Sequence, residues 1–184
     1  MSNNVDADHN AVNVYFLRYA ATDVTDRPYH HGAPRRHFPD RQALLDALAE
    51  SGFDRLGAEL RHALDAAGEG FEPRLRASAA AYVHFATRDA ALLELMFAGK
   101  HREHAGALDE AANRAFAVLL DVILQGQAEG VLEPGDPERV GLVLFATMQG
   151  IAALVTGGMV DEDQLDGLVD DAITHFVRGS RAAA

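Results

Sequence analysis

From Pro39 onward, apolar residues return every three or four positions. Leu44, Leu45, Leu48, Phe53, Leu56, Leu60 and Leu64 keep the spacing of one face of a long helix. Asp40 is placed to cap it, and Gly68-Glu69-Gly70 ends it. Pro73 suits the first turn of a second helix, where a missing N–H costs little, with Leu75, Ala79, Tyr82, Val83 and Phe85 as its apolar stripe. Asp89 opens a short third helix filled by Leu92, Leu93, Leu95, Met96 and Phe97 and closed by Gly99. A fourth is predicted from about His101 to Gln127, facing inward with Leu108, Ala112, Phe116, Leu119, Leu120 and Ile123. Gly130 and Pro134-Gly135 break the chain. Asp136-Pro137-Glu138 then supplies a cap, a first-turn proline and a first-turn acid for a fifth helix reaching about Thr156. That helix is apolar nearly all round, so it needs cover on more than one side. A sixth runs from Asp163 to about Arg178. No segment alternates with period two and no repeat is visible, so the pattern predicts an all-α bundle of about six helices.

Residues 1–32 read differently. A short apolar patch, Val12 to Ala21, sits among Asn and Asp residues, and Pro28 and Gly32 punctuate the chain beyond it. We expect an irregular N-terminal extension over 1–32 and a helical domain over 33–184.

Composition narrows the function. The 184 residues, 48% hydrophobic and 24% charged, suit one globular domain with a small appendage. With no cysteine there is no disulfide framework, thiolate nucleophile or Cys-type zinc site. No stretch approaches the run of about 20 apolar residues that spans a bilayer, and Met1 to Asn10 is polar and acidic, unlike a secretory signal. The expectation is a cytoplasmic protein without a membrane partner. A net charge of −12, with Lys100 the single lysine, argues against nucleic-acid binding, which needs clustered Lys and Arg.

Three passages resemble the TetR family of transcriptional regulators, over roughly Gly32 to Phe176. His37-Phe38 and Arg41, in the run from His31 to Arg41, resemble the junction between that family's recognition helix and its long connecting helix, with Arg35 where Tyr is usual. Ala81-Tyr82-Val83-His84-Phe85-Ala86 and then Leu92 to Phe97 resemble an aromatic helix and Leu-Met-Phe turn of the ligand domain. Leu144-Phe145-Ala146-Thr147-Met148-Gln149-Gly150 resembles the Trp-x-x-x-His-Gly segment of one subgroup, with Phe145 for Trp and Gln149 for His. Asp26 to Gly32 resembles the start of the family's headpiece, and residues 33–41 its end. The helices between them have no counterpart in residues 1–32, so an internal deletion of the headpiece is inferred.

The resemblance implies a TetR-like C-terminal bundle that binds a ligand and dimerises. A small apolar or amphipathic ligand would lie among Tyr82, Phe85, Leu93, Met96 and Phe97 on one side and Phe116, Leu120, Phe145, Met148 and Gln149 on the other. His84 and Thr147 are further candidate polar groups. Each apolar member also reads as ordinary core. The small residues Ala146, Gly150, Ala153 and Gly157 share a helix face; with Leu165, Leu168, Ile173 and Phe176 of the last helix they resemble the family's four-helix homodimer interface. Close packing within one subunit is the alternative. Arg35, Arg36, His37 and Arg41 are candidates for residual phosphate contacts, though without a scaffold they read as a solvated basic patch.

His101 and His104, beside Glu103, have a spacing that suits a metal, but no third or fourth ligand is evident; His30 and His31 read the same way. The acids Asp161, Glu162, Asp163, Asp166, Asp170 and Asp171 read as a solvated face. No nucleophile elbow, phosphate loop or carboxylate pair points to an enzyme, and no cofactor is implied. The expected function is a ligand-binding dimerisation module deficient in autonomous DNA binding. The alternatives are a repressor using residues 11–41 as a reduced headpiece, and a dominant-negative heterodimer partner of an intact paralogue.

Overall fold

The structure, a computed structural model, describes residues 38–99 and 106–181. Among these residues the chain folds into six α-helices: α1 (Arg41–Ala66), α2 (Phe71–Arg88), α3 (Ala90–Gly99), α4 (Gly106–Ala128), α5 (Pro137–Thr156) and α6 (Leu165–Gly179). A single 3₁₀ turn, Glu162–Gln164, leads into α6. The expectations for His30, His31, Arg35, Arg36, His37, His101, Glu103 and His104 lie outside the described residues, as does the extension over 1–32.

Two helix starts come directly from side-chain chemistry. The Asp40 carboxylate accepts from the Ala43 N–H at 2.8 Å, and Asp136 accepts from the N–H groups of Glu138 (3.0 Å) and Arg139 (3.4 Å). Each satisfies donors that a helix leaves without an internal partner. α2 begins at Phe71, two residues before Pro73. Gly70, at φ 104°, holds a backbone conformation that only glycine adopts cheaply, and this turns the chain directly into the helix.

α2 is the central helix and touches each of the other five. α1 and α3 cover it on one side, α5 and α6 on the other, and α4 runs beside it between these layers. Glycines let the helices approach closely. A Cβ at Gly52 would lie 2.7 Å from Met96 Sδ, and one at Gly57 3.4 Å from the Ala115 backbone, so α1 sits tight against α3 and α4. Gly126 of α4 accommodates the Phe71 ring in the same way. The α4–α5 loop is tied to the end of α6 by the Glu133 N–H, which donates to Ser180 O at 2.8 Å.

Polar pairs brace the surface. Arg76 of α2 donates to the Asp170 carboxylate (3.0 Å) and to Thr174 (3.0 Å) of α6, and His84 Nε2 lies 2.8 Å from Asp166. Asp166 and Asp170 are thus committed to α2, not merely solvated as expected from the acid run. At the far end of α2, Arg88 bonds Glu59 (2.8 Å) and Asp89 (2.7 Å), and Arg55 pairs with Asp89. Burial works against the charge on Arg88, but its hydrogen bonds to Glu59 and Asp89 prevail and raise its pKa.

α5 corrects one expectation. By length and composition alone it is apolar enough to cross a membrane. Glycines and threonines interrupt its apolar runs without lowering its mean hydropathy much. The same property belongs to a helix that protein covers on two sides. Here only one side is covered: Leu144, Met148, Ile151 and Ala152 are buried.

Candidate ligand-binding site

Five helices each direct one aromatic ring to a common centre: Phe53 from α1, Tyr82 from α2, Phe97 from α3, Phe116 from α4 and Phe145 from α5. Phe145 is the hub. Its ring centroid lies 5.4 Å from Tyr82, 5.8 Å from Phe97 and 5.3 Å from Phe116. Phe53 closes the inner side, 5.9 Å from Phe97 and 6.1 Å from Phe116. Most pairs meet edge to face, the arrangement that ring quadrupoles favour, worth ~0.5–1.5 kcal/mol each beyond burial. Phe53 and Tyr82 are fully buried, whereas Phe97, Phe116 and Phe145 are half-buried. The cluster therefore runs from the core outward to the surface.

Tyr82 differs from the other four rings in carrying a hydroxyl. The residue is 1% exposed, and its hydroxyl oxygen is buried without a hydrogen-bond partner among the described residues. A phenol is protonated at neutral pH in any case, and burial pushes this one well above its usual range, so it keeps its proton at alkaline pH too. Buried polar groups are nearly always paired, and an exception calls for an explanation. No charged residue is wholly buried among the described residues. Ser78 is the one buried polar side chain besides tyrosine, and its hydroxyl donates to Leu75 O at 3.0 Å.

The sequence-predicted pocket is therefore only partly a unit. Tyr82, Phe97, Phe116 and Phe145 come together as expected. Phe85 does not join them: its ring lies beneath the guanidinium groups of Arg55 (5.0 Å) and Arg88 (5.7 Å), on the α1 side of α2. Met96 is packed on Gly52. Leu93 and Met148 are core, and Leu120 and Gln149 are half-buried. His84 is exposed and occupied by Asp166. Thr147 is exposed, its hydroxyl donating to Val143 O at 2.9 Å. Phe53, which its spacing placed only in a helix stripe, belongs to the cluster. The signal that could have found it is the recurrence of one such aromatic ring in each of the first five helices.

On the opposite side of α5, Ala146, Gly150, Ala153 and Gly157 are exposed, and beside them Leu142 and Val143 are 64% and 60% exposed. Leu168 and Phe176 of α6 are half-buried. Leu165 and Ile173, grouped with this face from the sequence, are 2% and 0% exposed and belong to the chain's own core. The helical repeat turns them toward α2, leaving no surface for a partner. Arg41 is exposed at the first position of α1. No group of three or more metal-ligating side chains is present among the described residues.

Comparison with known proteins gives a consistent answer. The family described as "Tetracyclin repressor-like, C-terminal domain" matches residues 75–177. A solved structure of a protein of unknown function from Rhodococcus sp. RHA1 is 44% identical, with a TM-score of 0.77, over 82% of this chain and 80% of that one. A bacterial regulatory protein in the tetR family from Rhodococcus RHA1 is similar in fold, with a TM-score of 0.71 at 17% identity, over 95% of this chain and 94% of that one. No curated protein matches.

Proposed function

This chain belongs to the tetracycline-repressor-like (TetR) family of regulators, and we propose that within it the molecule is a ligand-sensing dimerisation module, acting in the cytoplasm, that does not bind DNA on its own. One observation carries the reading: α5 has two working faces. Phe145 points inward as the hub of the aromatic cluster, while the exposed stripe of Leu142, Val143, Ala146, Gly150 and Ala153 points outward. An apolar stripe of this kind is costly to leave in water, and its small residues let a second helix approach closely. A second copy of the chain, bringing its own α5 and α6, would cover it as a four-helix interface. A molecule lodged against Phe145 would displace the same helix that sets the dimer geometry, which is the physical requirement for coupling between the two sites.

The lack of autonomous DNA binding rests on the net charge of −12 and on residues 1–32, whose pattern lacks the helices of a DNA-reading headpiece. Residues 33–41 then stand as the remnant of a recognition-helix end, and Arg41 as a surface cation.

Light scattering on the eluting protein tests the dimer. The wild type should run at twice the 19.8 kDa chain mass. Ala146→Arg should run as a monomer with an unchanged circular-dichroism spectrum, because a charge stranded in an apolar interface costs several kcal/mol. A wild-type monomer overturns the reading. Fluorescence anisotropy against the DNA upstream of its own gene, at low and moderate salt, tests the rest. No saturable binding is expected. Tight, sequence-dependent binding would favour residues 11–41 as a reduced headpiece. Subunit exchange with an intact paralogue would add the dominant-negative role.

A further inference from the structure

We propose that the aromatic cluster takes an uncharged aromatic molecule bearing a hydrogen-bond acceptor, such as an aryl ketone or aryl ester, whose oxygen accepts from the Tyr82 hydroxyl. This rests on the ligand-sensing role above and specifies its chemistry. Three observations lead to it.

The first is the hydroxyl itself. It is buried, it has no partner among the described residues, and the ring that carries it meets Phe145 edge to face. A phenol of this kind donates strongly to a carbonyl oxygen once water is excluded. The second is the surroundings. Phe145 lies 5.4 Å from Tyr82 with its plane turned by 61°, and Phe97 and Phe116 extend the aromatic surface outward. Such edges and faces favour a planar unsaturated ring. Phe97, Phe116 and Phe145 are half-buried, so the cluster reaches the surface. The third is charge. None of the five side chains that form the cluster carries one, so a carboxylate or ammonium ligand would meet no counter-ion among them. The hydroxyl of Ser78, the other buried polar side chain, is already committed to Leu75 O. Arg55 Nε and Arg74 Nε are also buried without a partner, but of the five rings in the cluster Tyr82 alone carries a donor, and it is this hydroxyl that selects the ligand.

Calorimetric titration of the 184-residue chain at neutral pH with acetophenone, ethylbenzene and benzoate tests this. The three probes share a ring and differ in acceptor and charge. Acetophenone should bind about tenfold more tightly than ethylbenzene, the ratio expected from one net hydrogen bond, and benzoate should give no saturable heat. In Tyr82→Phe the ketone should lose that advantage while ethylbenzene is held as before. The infrared carbonyl stretch of bound acetophenone should move to lower frequency in the wild type and return in the variant, a signature that a purely structural role for Tyr82 would not produce. Equal binding of ketone and hydrocarbon by the wild type overturns the inference and leaves an apolar ligand site intact. So does benzoate binding as tightly as acetophenone, or a ketone preference that survives Tyr82→Phe. If none of the three probes binds, both the inference and the ligand-sensing role of the cluster fall.

Discussion

Replacing Tyr82 by phenylalanine is expected to stabilise the ligand-free protein. The new ring has the same outline, so the edge-on contact with Phe145 at 5.4 Å survives and only the hydroxyl is lost. In the unfolded chain that hydroxyl is hydrated; in the fold it is buried and unpaired among the described residues. Leaving one such group unsatisfied costs ~1–3 kcal/mol. Its removal should therefore return about 1–2 kcal/mol, a rise of roughly 2–8 °C in Tm for a chain of this size. Alkaline pH provides a second signature. Burial raises the Tyr82 phenol above its ordinary value, so at high pH the unfolded chain gives up a proton that the folded chain keeps. The folded state then binds more protons, and its stability falls as pH rises through the ordinary phenol range near 10, by up to ~1.4 kcal/mol per pH unit. Below that range both states are protonated and the effect vanishes. Tyr82→Phe should remove this share of the alkaline slope. Urea denaturation at neutral pH and from about pH 9 to 11 reads both, at one protein concentration, because assembly shifts apparent stability. A loss of about 1 kcal/mol or more, with the alkaline slope unchanged, would refute the reasoning: it is what removing a hydrogen-bonded hydroxyl does.

Gly126→Ala should destabilise by about 1–3 kcal/mol, since the added Cβ would lie 2.5 Å from the Phe71 ring and 2.9 Å from Leu132; an unchanged melting temperature would show that the α2–α4 contact gives way easily. Asp136→Ala removes the acceptor for two N–H groups at the start of α5 and should cost about 1 kcal/mol in urea denaturation. Arg76→Ala should cost less than about 1 kcal/mol at moderate salt, because its pair with Asp170 lies at a solvated surface; a larger loss would mean that α6 depends on this clamp to stay docked.

Much of the fold was legible because its signals are local. Asp136-Pro137-Glu138 fixes the start of α5 to the residue, and Asp40 fixes that of α1, since caps and first-turn prolines act within a few positions. Two of the TetR-like passages, Ala81 to Phe97 and Leu144 to Gly150, fall within the family match over residues 75–177. The part that stayed hidden was tertiary. The entry into α2 depends on the glycine turn at Gly70 and on Phe71 fitting against Gly126 of a distant helix, which no local pattern records. An apolar stripe says that a helix face is covered, not by what. Leu165 and Ile173 therefore read equally well as interface and as core, and Phe85 as pocket lining although two arginines from different helices stack on it. The acid run hid its partners because Arg76 and His84 lie some 80 to 100 residues away in sequence.

The close approach of Gly52 to Met96 gives α1 the mechanics of a lever. Its C-terminal half is held by α2, α3 and α4, with Phe53, Leu56, Leu60 and Leu64 all buried. From Ala43 to Leu48 it is only half-covered. Gly52 and Arg41 are separated by about 16 Å of helix, so a tilt of about 5° pivoting on Met96 carries Arg41 through about 1.5 Å. α3 also supplies Phe97 to the aromatic cluster, one residue on from Met96. On the ligand-sensing reading proposed above, a small adjustment around a bound ring would be converted, by leverage alone, into a displacement of Arg41 at the start of α1.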